Sequence, residues 1–247
     1  MDQPSGHDQE DDIVAQPSTT GHRVAPGVSR RRLAVAAVLA LAFVALTLAV
    51  TSSGHAFAVD ATIHDWLKAH RAPGLTRAAL AVTATGASGV VVPAVLVLSL
   101  LAGRGAGLER LLPAVLATGV LLLGIGVRLA VSDLVARKRP PSGDWAGFAH
   151  GHAFPSGHTT TSALTAGVLI WVAAGRLSGG PRRAVVVVLA AWAVSVGLTR
   201  AYLGVHWPTD VLGGWLLALT WLSLATALLA GGRGGVPQEA VARETAR

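Results

Sequence analysis

The sequence predicts an all-α fold, an integral membrane bundle of six transmembrane helices. Hydrophobic residues make up 52% of the chain and charged residues only 13%. Several stretches also run without charge for about the 20 residues that cross a bilayer core. Basic residues flank these stretches, so the net charge of +7 indicates membrane topology rather than nucleic acid binding. Cysteine is absent, which excludes disulfides, thiolate catalysis and Cys-ligated metals.

The chain begins with a polar, acidic segment, residues 1–29, that predicts a disordered cytosolic tail. The apolar run 33–53 follows Arg30, Arg31 and Arg32. It lies too far from the start for a cleaved signal peptide, so we expect a retained first helix. Five further spans are expected at 78–102, 111–135, 159–175, 184–199 and 208–232, which makes 30–232 the membrane domain and 233–247 a second cytosolic tail.

Six spans place both termini on one side of the membrane, and the cytosolic assignment gives that side more of the basic residues. The composition is typical of a bacterial plasma membrane protein. Three polar segments then meet at the outer face, where the bundle brings them to one level: 137–145, 154–158 and 199–210.

The third segment carries His206 and Asp210, four residues apart, which share one face of a helical turn. A carboxylate there fixes the imidazole tautomer and leaves the other ring nitrogen as a base or a nucleophile. The alternative is an aspartate that only caps the helix beside an interfacial histidine. Arg200, six residues before His206, favours the chemical interpretation.

The second segment opens a helix with Pro155, Ser156, Gly157 and His158. Ser156 is a good N-cap, and the free backbone N–H groups that follow it form an anion site that Gly157 leaves open. The alternative is an ordinary serine cap with a chance histidine. Arg139, at the end of the third span, offers a planar donor fork for phosphate, or alternatively is a topology residue.

Taken together, these segments resemble the type 2 phosphatidic acid phosphatase (PAP2) superfamily, membrane lipid phosphatases whose sites are related to those of vanadium haloperoxidases. Its signatures are Lys-x6-Arg-Pro, Pro-Ser-Gly-His and Ser-Arg-x5-His-x3-Asp. This chain has Arg139-Pro140, then residues 155–158 intact, then Thr199-Arg200, His206 and Asp210 at the same spacing.

The resemblance implies a role for each matched residue. His206 is the nucleophile that forms a phosphohistidine, Asp210 orients it, and His158 is the general acid. Arg139, Arg200, Ser156 and Gly157 hold the phosphoryl oxygens. No metal and no cofactor is implied, and a zinc site at His150 and His152 is disfavoured because that spacing suits only a weak pair.

The chain departs from the pattern at Ser132, where the family has its lysine, and in a minor way at Thr199. Arg137 is the first candidate for the missing cation and Arg128 the second, unless Asp133 neutralises Arg128. Trp66, Trp145 and Trp207 are expected to be interface anchors.

We therefore expect an enzyme that hydrolyses a lipid phosphate or diphosphate monoester at the outer membrane face. Phosphatidic acid, phosphatidylglycerol phosphate and a polyprenyl diphosphate all fit. The alternatives are a phosphotransferase of the same family and a membrane protein that binds a phospholipid with impaired catalysis. The sequence leaves the lipid and the oligomeric state open.

Overall fold

The structure is a computed structural model and describes residues 30–231, so the predicted tails at 1–29 and 233–247 lie outside it. The described part is all-helical, as predicted. Its helices are α1 (Arg30–Ser53), α2 (Ala58–Ala69), α3 (Pro73–Thr85), α4 (Ser88–Ala102), α5 (Leu108–Val135), α6 (Gly157–Ala174), α7 (Gly179–Tyr202) and α8 (Pro208–Gly231), with a 3-10 turn at Ser142–Asp144.

Helix α6 lies at the centre of the bundle and packs against α4, α5, α7 and α8, while α1 packs along α8. Its first half is polar yet buried, with Thr159, Thr160 and Ser162 almost inaccessible. Further along, Leu164 and Val168 join an apolar core with residues of α4, α5 and α8. The central helix therefore presents a polar end and an apolar end, and the polar end faces the site.

The outer helices carry large apolar side chains on their exposed faces, such as Val38 and Leu41 of α1 and Leu123 of α5. In a membrane these apolar faces would contact lipid rather than water. Four described helices are long and apolar enough to cross a membrane: α1, α5, α7 and α8. The exact number of six spans stays a prediction, because α6 begins with polar turns and is not one of the helices that are long and apolar enough to cross a membrane.

The second predicted span, 78–102, is wrong as a single helix. It consists of α3 and α4, which are bent by 52° relative to each other and are apolar enough to cross a membrane only when taken together, as one broken span. Gly86 ends α3 and lies so close to α7 that a Cβ atom there would come within 2.6 Å of Val196 Cγ1. The segment 86–89 also contains two glycines, Gly86 and Gly89, which have low helix propensity. The break therefore follows from a glycine packed against a neighbouring helix.

Two further differences concern helix boundaries. Helix α7 extends from Gly179 to Tyr202, so it is longer at both ends than the predicted fifth span, 184–199. Helix α2 was not predicted, because it is short and only one of its faces is apolar. It buries Asp60 and His64, which are four residues apart and therefore on one side of the helix.

Candidate active site

A cavity of about 750 Å³ lies where the first turn of α6 meets α3, α5 and α7. The sequence-predicted residues Gly157, His158, Arg139, Arg200 and His206 line it, so the structure brings the three polar segments together. The remaining wall is formed by Leu80, Thr83, Ala84, Gly86, Ala87, Ser88, Ile125, Arg128, Leu129, Ser132, Asp133, Phe148, Ala149, His150, Gly151, His152 and Thr161.

His206 lies in the turn between α7 and α8, and its side chain is 2% exposed. Its Nε2 atom accepts a hydrogen bond from Arg139 Nη1 at 2.9 Å, which assigns the ring proton to Nδ1. Nδ1 faces Asp210 Oδ2 at 3.5 Å, longer than an ordinary hydrogen bond. Burial, followed by the positive charges of Arg139 and Arg200, lowers the pKa of His206 well below its usual range. The imidazole is therefore neutral at pH 7, with its lone pair on Nε2.

Asp210 is fully buried in the first turn of α8. Its Oδ2 atom accepts a hydrogen bond from the backbone N–H of Trp207 at 2.8 Å, which is the reach-back of a carboxylate at the start of a helix. Its Oδ1 atom accepts from Arg137 Nη1 at 2.5 Å. Asp210 thus caps α8 and faces His206 at the same time, so the two interpretations made from the sequence are not exclusive.

The first turn of α6 places Gly157 and His158 at the cavity. At the first two positions of a helix, their N–H groups have no intrahelical acceptor. A Cβ atom on Gly157 would lie 3.1 Å from Arg128 Cζ, so only glycine leaves this approach open. The His158 imidazole is half-buried and makes no hydrogen bond to another side chain of the described region, so it is available to a ligand.

Ser156 occupies the N-cap position, as predicted, but its side chain makes no capping hydrogen bond. Instead its hydroxyl oxygen accepts a hydrogen bond from Thr159 Oγ1 at 2.9 Å. The side chain is fully buried and is not part of the cavity wall. Its backbone N–H donates to the carbonyl of Asp210 at 3.0 Å, which joins the starts of α6 and α8.

Arg139 lies in the segment between α5 and α6, and protein acceptors occupy its guanidinium. Nη1 donates to the Val205 carbonyl at 2.7 Å as well as to His206. Nε and Nη2 donate to the carbonyls of Gly151, His150 and His152. Burial lowers the pKa of Arg139 to about 10, so the group stays cationic at neutral pH. Arg139 therefore connects the loop that contains residues 150–152 with the turn that contains Val205 and His206.

Arg200 lies in the last turn of α7 and is 3% exposed. Its Nη1 atom donates to Thr83 Oγ1 at 2.9 Å and its Nη2 atom to the Phe148 carbonyl at 3.3 Å. Its Nε atom is buried and lacks a protein acceptor. A buried N–H donor without a hydrogen-bond partner lowers the stability of the folded protein, especially on a charged group. An anion bound in the cavity would supply the missing acceptor for Arg200 Nε.

The two candidates for the missing cation occupy different places. Arg137 does not line the cavity. Its guanidinium instead forms ion pairs with the buried carboxylates of Asp60 and Asp210. Arg128 does line the cavity, on the same face of α5 as Ser132, with Nε donating to the Pro155 carbonyl at 3.0 Å. Within residues 30–231 Arg128 makes no ion pair with Asp133. Arg137 lies elsewhere because α5 ends at Val135 and Ala136 turns the chain with a left-handed φ of 49°.

Asp60 was not predicted as a functional residue, but its carboxylate contacts both Arg137 and the start of α8. The available signal was weak. Asp60 and His64 are polar residues four apart in a segment otherwise typical of a surface helix. In the described region, no three His, Asp or Glu side chains converge on one point.

The chain is similar in sequence to known membrane phosphatases. A sequence model of the PAP2 superfamily matches residues 110–231. Phosphatidylglycerophosphatase B of Bacillus subtilis is 31% identical over 159 residues, which cover 60% of this chain and 72% of that protein. An undecaprenyl-diphosphatase of Sulfolobus acidocaldarius is 58% identical over a short segment of 31 residues, 13% of this chain and 15% of that one.

The fold has a solved counterpart as well. The crystal structure of a transmembrane PAP2 type phosphatidylglycerolphosphate phosphatase from Bacillus subtilis superposes with a TM-score of 0.70 at 26% identity, covering 78% of this chain and 95% of that one. Because the family model, the Bacillus subtilis relative and the shared fold all point to the same family, the chain belongs to the PAP2 superfamily and is a membrane lipid phosphatase.

Proposed function

We propose that the chain hydrolyses a lipid phosphate or diphosphate monoester through a phosphohistidine at His206, at the outer face of the membrane and without a metal ion. One observation carries the proposal. A neutral, buried imidazole and a second, unpaired one share a cavity with three arginines. Cations and free backbone N–H groups stabilise the charge that develops during phosphoryl transfer.

In the first step, the Nε2 lone pair of His206 attacks phosphorus, and the bond from phosphorus to the leaving oxygen breaks. His158 donates a proton to that oxygen. In the second step, water attacks the phosphorus atom of the phosphohistidine, His158 takes the proton from the water, the bond from phosphorus to Nε2 of His206 breaks, and inorganic phosphate leaves. Asp210, 3.5 Å from Nδ1, stabilises the positive charge on the ring while the phosphoryl group is attached.

Arg128 supplies the cation that Ser132 does not. Its position beside Gly157 supports this role, as does the fact that, among its guanidinium nitrogens, only Nε has a protein acceptor in the described region. Arg139, Arg200 and the Gly157 N–H complete the phosphoryl site. Ser156 acts from behind it, through Thr159 and the start of the helix.

The cavity also has an apolar side. Leu80 and Ala84 of α3 and Ile125 and Leu129 of α5 form part of its wall, next to the break between α3 and α4. We propose that the lipid tail lies against this wall and enters from the bilayer. A soluble phosphate ester hydrolysed as fast as any lipid would contradict this route.

The names of the relatives point to two head groups, phosphatidylglycerol phosphate and a polyprenyl diphosphate. Phosphatidic acid presents the same terminal phosphate. The test is phosphate release from these three lipids in detergent with a chelator, comparing the wild type with His206→Ala. An exposed histidine outside the cavity, His55→Ala, is the matched control.

Chelator-resistant release that His206→Ala abolishes and His55→Ala retains is the expected result. An alcohol that competes with water for the phosphoryl group would favour the phosphotransferase alternative. No release by the folded wild type would favour lipid binding with impaired catalysis, and Ser132→Lys would then be expected to restore turnover.

A further inference from the structure

Arg137 is held between two buried carboxylates. Its Nη2 atom donates to Asp60 Oδ2 at 2.8 Å and its Nη1 atom to Asp210 Oδ1 at 2.5 Å. The arginine side chain is 7% exposed and the carboxylates are fully buried. Buried charges persist where geometry and hydrogen bonds compensate for their desolvation, and here one guanidinium serves two anions.

Asp60 also fixes the start of α8. Its Oδ1 atom accepts a hydrogen bond from the backbone N–H of Thr209 at 2.9 Å, and its Oδ2 atom accepts from Thr209 Oγ1 at 2.7 Å. The Thr209 hydroxyl oxygen in turn accepts from Arg137 Nη1 at 2.7 Å. Asp60, Arg137, Thr209 and Asp210 therefore form a closed network that connects α2 to the helix turn following His206.

The network determines which way the Asp210 carboxylate faces. With Oδ1 bound to Arg137 and Oδ2 bound to the Trp207 N–H, the carboxylate cannot rotate about its terminal bond without breaking both contacts. Oδ2 is thereby kept toward Nδ1 of His206. Neither Asp60 nor Arg137 lines the cavity, so their influence on the reaction passes through Asp210.

We propose that Asp60 and Arg137 are positioning residues for the phosphatase reaction, which hold the Asp210 carboxylate against His206. This inference rests on the proposed role of His206 as the nucleophile. It also extends the functional unit beyond the matched family region, residues 110–231, to helix α2.

The experiment measures kcat and KM for phosphate release by Asp60→Asn, Arg137→Gln and the double variant. Because neither side chain contacts substrate, kcat should fall with little change in KM. Misplacing a catalytic group by about 1 Å costs on the order of 100-fold, so we expect about 100-fold for Arg137→Gln and about 10-fold for Asp60→Asn.

If Asp60 acts through Arg137, the double variant should lose about 100-fold, as Arg137→Gln does alone, rather than the roughly 1000-fold of independent effects. Arg137→Lys, which keeps the charge, should recover part of kcat. Lys68→Gln is the matched control, since it removes an ion pair of the same helix with Asp144, away from Asp210. It should keep the wild-type kcat.

Asp60→Asn is nearly isosteric and carries the test if Arg137→Gln fails to fold, as judged by thermal melting in detergent. A folded Asp60→Asn with wild-type kcat would overturn the inference. A raised KM at unchanged kcat, or fully additive losses, would also overturn it. Activity that survives His206→Ala would instead refute the proposed function, so the two failures are distinguishable.

Discussion

The substitution Gly157→Ala tests whether the start of α6 is where the phosphoryl group binds. The added Cβ atom would lie 3.1 Å from Arg128 Cζ, 3.2 Å from Nη2 and 3.4 Å from Nε, whereas ordinary contacts begin at 3.4 Å. The guanidinium must therefore move by a few tenths of an ångström, away from its hydrogen bond to the Pro155 carbonyl. The methyl group also covers the backbone that a phosphoryl oxygen would approach.

The magnitude follows from these contacts. A hydrogen bond to a charged group contributes about 1.5–3 kcal/mol, and tenfold in rate corresponds to about 1.4 kcal/mol. We expect kcat/KM to fall by about 10- to 100-fold. The free energy of unfolding should change by less than about 1 kcal/mol, because alanine is a better helix former than glycine and offsets the contact.

The assay is initial-rate phosphate release from phosphatidylglycerol phosphate in detergent, with thermal melting as the check on folding. Gly126→Ala is the matched control. It makes the same change on α5, two residues from Arg128, with no atom within 4 Å of the new Cβ. If Gly157→Ala keeps the kcat/KM of the wild type while both variants fold, the phosphoryl group does not bind at this helix end.

Three further predictions concern the pKa of His206, the charge of Arg128 and the turn at Ala136. Burial lowers the pKa of His206, so its imidazole stays neutral as the pH falls through 6.5. Once the ionisation of the substrate is corrected for, kcat/KM should therefore decline only at a pH well below 6.5. An acid limb at 6.5 or above would refute this. Arg128→Gln should lower kcat/KM by about 10- to 100-fold, the effect of one lost charge-assisted contact; Arg110→Gln, an exposed arginine at the start of α5, should keep it. Ala136→Gly should raise the free energy of unfolding by about 1 kcal/mol, measured by thermal melting, because a left-handed φ of 49° strains any residue with a Cβ; an unchanged melting temperature would contradict that reasoning.

The fold class was predictable because long apolar runs have few alternatives in a membrane. Helix boundaries were less predictable. The 52° break between α3 and α4 depends on how closely Gly86 approaches Val196 of α7, a tertiary contact that leaves no periodic pattern in the sequence. The early start of α7 shows that charged residues such as Arg182 and Arg183 can lie within the first turns of a helix rather than before it.

The convergence of His206, His158, Arg139 and Arg200 was predictable from ordered motifs on consecutive helices. The choice between Arg128 and Arg137 was not, because it depends on the left-handed turn that ends α5. The role of Asp60 could not be predicted from the sequence either, because it depends on a tertiary contact. Its contact with Thr209 joins residues 149 positions apart, and neither belongs to a recognisable motif.

The hydrogen bonds of Arg139 have a consequence for turnover. A guanidinium has five N–H groups, and five protein acceptors contact this one. If a phosphoryl oxygen binds Arg139 as proposed, it must exchange for an existing partner, and part of its binding free energy is then offset by the lost hydrogen bond. When that partner is Nε2 of His206, the same exchange uncovers the lone pair. In the proposed mechanism, the substrate would therefore free the lone pair that attacks it.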